Sequence, residues 1–146
     1  MRKSPGESEL REQIEEGKRL GEIKSIVRSH CVGTTAVVYA SDYLNKLTGE
    51  RIERECKKQL ESGARALVID FSDTELVNSI GISILLGIID IAEKNGALVV
   101  FSDVKDETVQ LFEMLGLTRH VVLAKDEQEA LSGLAKSPIQ SQAFGH

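Results

Sequence analysis

The sequence predicts an α/β fold with a mixed, mostly parallel β-sheet, and three observations carry that prediction. Two short apolar runs, Ala66 to Phe71 (ALVIDF) and Ala97 to Phe101 (ALVVF), are too continuous for half-exposed strands and belong in the middle of a sheet covered on both faces. Segments of helical periodicity lie before, between and after them and stop at Gly63, Gly96 and Gly116. A β-branched stretch, Thr34 to Ala40 (TTAVVYA), follows Gly33 and reads as the second arm of a hairpin. The expected order is ββαβαβαβα, with about four helices and right-handed crossovers.

Taken in order, residues 1–21 are charge-rich, with only Leu10, Ile14 and Leu20 available to bury. They form an arm, either solvated or a partner-docking or dimerising helix. A domain is expected over residues 22–135. It begins with an extended segment in which Ile23, Ser25, Val27 and Ser29 share one side. Leu44, Leu47, Ile52, Cys56 and Leu60 form the apolar stripe of the first helix, with Arg51, Glu53, Lys57 and Lys58 opposite. After a turn at Ser72 and Asp73, Asn78 and Ser79 both suit a helix N-cap. The helix they open is apolar on most of its circumference (Ile80, Ile82, Ile84, Leu85, Leu86, Ile88, Ile89, Ile91), so it should be buried on more than one side. A short helix over Asp106 to Leu115, a strand over Val121 to Ala124, and a helix with the capping box Asp126 and Glu129 complete the domain. The tail, residues 136–146, lacks periodicity and is expected to be disordered.

Composition narrows the function classes. With 18 basic against 23 acidic residues the net charge is −5, and no basic cluster with interleaved aromatics occurs, which argues against direct nucleic-acid binding. The longest apolar stretch falls short of a membrane span. Cys31 and Cys56 belong to no CxxC pair and no secretory leader is recognisable, so both are read as reduced thiols in a cytoplasmic protein. Its partners are expected to be proteins.

Open α/β sheets place ligands and partners at the carboxyl ends of their strands. The junction Val77-Asn78-Ser79-Ile80-Gly81 is such a place, and a serine in the first turn of a helix sits beside free N–H groups and the positive end of the helix dipole. A phosphate there would add about −1.5 to −2 charges without disturbing the core.

The segments LVIDFSDTELVNSIGISILLGI, KNGALVVFSD and VQLFEMLGL resemble the STAS domain as found in bacterial anti-sigma-factor antagonists. In that family a strand leads to Asp-Ser-x-Gly, the serine caps a long apolar helix, and a later helix ends in Leu-Phe-x-x-x-Gly-Leu. Here those places hold Asn78-Ser79-Ile80-Gly81, then Gly96, then Leu111-Phe112 and Gly116-Leu117, and the resemblance spans Glu22 to Leu134. It implies a protein that binds an anti-sigma factor with serine kinase activity, with Ser79 as the phosphorylated residue and Asp42, Asn78, Ile80, Gly81 and Ile82 on the contact surface. Asn78 replaces the family's aspartate by its neutral isostere. A second departure is Ser41-Asp42-Tyr43-Leu44, where relatives commonly show Gly-Glu-Leu-Asp. A scaffold subunit of stressosome or lipid-transport type, acting by association with itself or with others, is the alternative.

No enzyme is expected. A nucleophile elbow needs small residues on both sides of the serine, and Val77 is not small. His30, His120 and His146 have no obvious acidic orienter in sequence. No GxGxxG or Walker-type loop occurs, and His30-Cys31 alone falls short of a zinc site, so neither cofactor nor metal is expected.

Overall fold

The computed structural model describes residues 27–136, and there the run Ala66–Asp70 forms a strand buried at every position. The main sheet assembles around it in the order β1 (Ser29–Val32), β2 (Thr35–Tyr39), β4 (Ala66–Asp70), β6 (Leu98–Ser102), β7 (Val122–Ala124). The hairpin β1–β2 is antiparallel, and every other neighbouring pair is parallel. Gly33 makes the hairpin turn at φ 62°, a left-handed conformation that glycine adopts without steric cost. The arm over residues 1–21 and the tail from residue 137 onward lie outside the described residues, as does the start of the extended segment at residues 22–26.

Four helices cover the two faces: α1 (Lys46–Glu61), α2 (Ser79–Lys94), α3 (Asp106–Met114) and α4 (Glu127–Lys136). The strand residues alternate between two cores, as the two-residue period of a strand requires. Ala36, Val38, Leu67, Ile69, Val99 and Phe101 pack with α1, α2 and α3, whereas Val37, Ala66, Val68 and Val100 pack with Ala130 and Leu134 of α4. Phe71, Phe101 and Phe112 meet edge-on near the carboxyl end of the sheet, with ring centroids 5.1–5.9 Å apart.

Three details differ from the sequence expectation. Leu44 is not the first residue of the helical stripe: with Tyr43 it forms a short strand, β3, that pairs in parallel with β5 (Leu76–Val77) in a second, two-stranded sheet. The first helix starts at Lys46 because Asn45 caps it reciprocally with Thr48, which leaves Leu47 on the outer surface. A 3₁₀ turn over Leu117–Arg119 follows α3, since Gly116 turns left-handed at φ 84° and buries Leu117. The helix α2 does bury two sides, one on the sheet and one on α1, while Ile80 and Leu86 remain exposed.

Candidate functional site

The start of α2 is built from its cap outward. Asn78 is extended (φ −98°, ψ 175°), and its side-chain oxygen accepts the Gly81 N–H at 2.8 Å. Asn78 is therefore the cap, and Ser79, expected from the family pattern to be the cap, is the first helical residue. Ser79 and Ile80 are exposed, and the Ser79 hydroxyl makes no hydrogen bond among the described residues. Gly81 and Ile82, expected on the contact surface, instead face inward. A Cβ on Gly81 would stand 2.5 Å from the Leu44 carbonyl oxygen, so only glycine lets the helix approach β3 this closely. These two residues support the surface from beneath.

The small sheet brings the second expected region to the same place. Glu75 and Leu76 donate their N–H groups to the Asp42 carbonyl at 2.7 and 3.1 Å, and Asn78 donates its N–H to the Leu44 carbonyl at 3.0 Å. The Asn78 side-chain amide also reaches the Tyr43 hydroxyl at 3.4 Å. Asp42, Asn78, Ser79 and Ile80 thus belong to one surface. Large apolar side chains stand exposed on its elements: Tyr43 at 41%, Leu47 at 56%, Leu76 at 62% and Ile80 at 49%. Reading from sequence assigned Leu47 to the helix stripe and did not single out Tyr43 or Leu76. Their only signal was a bulky apolar residue beside a cap or turn. No acidic side chain lies in the first turn of α2, so the positive end of its dipole is uncompensated by the helix itself.

A second cluster lies at the carboxyl ends of β2, β4 and β6, on the α4 side. Tyr39, Asp70, Ser72, Asp103, Asp126 and Glu127 line a cavity of about 470 Å³. Asp70 is buried, and burial alone would raise its pKa. Hydrogen bonds from Ser72, Ser102 and Asp103 outweigh that and hold it below the usual carboxylate value. Burial, the hydrogen bond to Asp70 and the charge of Asp70 push Asp103 up to about 6. Burial and the hydrogen bond to Glu127 raise the Tyr39 hydroxyl to about 12.

Two histidines do have acidic partners, contrary to the sequence reading. His30 Nε2 lies 2.8 Å from Glu127 and His120 Nδ1 lies 3.1 Å from Glu93. These carboxylates are 97 and 27 residues away in sequence, so no local pattern announces them. Neither imidazole hydrogen-bonds Ser79, and the pairs join structural elements. Among the described residues no group of three or more His, Cys, Asp or Glu side chains could hold a metal ion, and no helix is long and apolar enough to cross a membrane.

A family model described as the STAS domain matches residues 26–130. Three solved structures share the fold. An anti-sigma factor antagonist from Mycobacterium paratuberculosis is 23% identical, covering 73% of this chain and 91% of its own, with a TM-score of 0.61. The Bacillus cell fate determinant SpoIIAA in its phosphorylated form is 19% identical, covering 73% and 96%, with a TM-score of 0.59. A serine-to-glutamate variant of RsbS from Moorella thermoacetica is 22% identical, covering 81% and 97%, with a TM-score of 0.66. No curated protein matches the chain.

Proposed function

Because the chain belongs to the STAS domain family, we propose that it is an anti-sigma-factor antagonist, a non-catalytic protein that binds an anti-sigma factor with serine kinase activity and is switched by phosphorylation of Ser79. One observation carries the reading. An exposed serine opens α2 on the same surface as Asp42, Tyr43, Leu76 and Ile80, all outward-facing. An apolar surface of this kind suits docking of another protein, and a serine within it is where an added charge has most effect. The uncompensated end of the α2 dipole lets the phosphate be accepted without unfolding the helix. Its cost therefore falls on the partner, whose apolar contact side chains would face a dianion.

The test combines mass and binding. Phosphate located on Ser79 by fragmentation mass spectrometry of protein from its own host is the expected result. Ser79→Asp should weaken binding of the host's anti-sigma kinase at least tenfold, about 1.4 kcal/mol, while Ser79→Ala should still bind. Binding unchanged by Ser79→Asp would refute the switch.

The neutral cap Asn78 favours a second reading, in which the chain is a scaffold subunit of stressosome or lipid-transport type working by association, including with itself. On that reading Ser79→Asp leaves assembly intact and sedimentation detects a complex.

A further inference from the structure

We propose that the joint between α4 and the carboxyl end of the sheet is a proton-operated latch, tight while a proton sits between Asp70 and Asp103 and loosened when both carboxyls are ionised. This goes beyond the binding surface at Ser79 and does not depend on it.

The geometry begins with Asp70, which is only 2% exposed at the end of β4. One of its oxygens accepts the Ser72 N–H at 3.0 Å and the Ser72 hydroxyl, and the other accepts the Ser102 hydroxyl at 2.7 Å. A carboxyl that accepts on both oxygens behaves as the ionised partner. Asp103 also hydrogen-bonds Asp70, so the proton in that contact belongs to Asp103. Asp103 is held there at φ 58°, the one non-glycine residue with positive φ among the described residues, a conformation that persists where surrounding contacts enforce it.

The groups facing this pair come from every element around it. Asp126 caps α4 by accepting the Glu129 N–H at 2.8 Å, and Glu127 accepts the Tyr39 hydroxyl from β2 and meets His30 of β1 at 2.8 Å. The Arg28 guanidinium lies 4.5 Å over the Tyr39 ring and also reaches Asp73 at 3.5 Å. Four carboxyls, Asp70, Asp103, Asp126 and Glu127, are therefore gathered beside the Arg28 guanidinium, with the His30 imidazole in contact with Glu127. The last helix has only Ala130 and Leu134 buried, so its docking is light and charge at its first turn weighs heavily.

The sign follows from Asp103, whose pKa rises from 3.8 to about 6 through burial first and the contact with Asp70 second. A carboxyl raised in the folded state contributes stability that is present below its unfolded value and is lost as pH rises through about 6. At neutral pH Asp103 is mostly ionised and the latch is loose. Mild acid tightens it.

The experiment is amide hydrogen exchange on the full chain of 146 residues from pH 5 to 6.5, corrected for intrinsic rates, with the α2 amides as internal reference. Protection of the α4 amides relative to α2 should fall roughly three- to eightfold across that range as Asp103 ionises. Asp103→Asn keeps a donor toward Asp70 and tolerates the left-handed backbone, and in a His30→Gln background, which leaves no imidazole beside Glu127, it should make the α4 protection flat with pH. Unchanged protection in the natural chain, or pH dependence surviving in Asp103→Asn with His30→Gln, would overturn the latch. A carboxyl titration of Asp103 by NMR supplies an independent check. Its midpoint should coincide with that of the α4 amide shifts, and two separate midpoints would also overturn it.

Discussion

Asn78 does two things with one side chain, of which an aspartate there could do only the first. Its oxygen caps α2 through the Gly81 N–H, and its amide donates toward Tyr43 across the small sheet. Because Asn78 is the cap and Ser79 the first helical residue, the two substitutions separate structure from signalling. Asn78→Ala should cost about 1 kcal/mol of stability in urea unfolding, whereas Ser79→Ala should stay within about 0.5 kcal/mol of the natural chain. Equal losses for both would mean that the cap assignment is wrong. The sequence offered two residues able to cap, and the family pattern pointed to Ser79, the wrong one, because both types accept hydrogen bonds equally well. The choice fell to the backbone, which becomes helical only after Asn78.

At the scale of elements, the site depends on how closely α2 approaches its neighbours. Gly81 lies against the Leu44 carbonyl, and Gly49 of α1 faces Ile84 of α2, where an added Cβ would meet the Ile84 side chain at 2.8 Å. The two contacts differ in kind, because a side-chain end can swing away and a strand carbonyl cannot. Gly81→Ala should therefore destabilise by about 2 kcal/mol through overpacking, even though alanine favours a helix more than glycine does. Stability equal to the natural chain in the same unfolding assay would show that α2 can shift without cost. The small sheet β3–β5 was not legible beforehand. Each strand has two residues, too few for a period of two to register, and the partners Tyr43 and Leu76 are far apart in sequence.

For the whole molecule, the two-sided covering of the sheet decides which groups can react. Cys56 lies in the core between α1 and the sheet, where burial first and then the nearby Glu55 and Glu53 raise its thiol to about 12. Cys31 is on an edge strand, exposed, with only a hydrogen bond to Gln59. A thiol reagent should label one cysteine per native chain and both after denaturation, with Cys31 as the native site by peptide mapping. Labelling of Cys56 in the native chain would mean that the core opens readily.

What the sequence determined by itself was the class of fold and the order of its main strands and helices. Continuous apolar runs, helical stripes and stop glycines are local patterns, and each element answers to its own residues. It also located Ser79 at the mouth of a helix, since caps and strand ends are local as well. Tertiary structure alone decided which residues of that stretch face outward. Ile80 does, and Gly81 and Ile82 do not, because the closeness of Leu44 fixes the rotation of α2. It alone brought Asp70, Asp103 and Glu127 to one cavity, and His30 to Glu127. Those meetings join residues up to 97 positions apart, and only the packing of α4 across the sheet makes them neighbours.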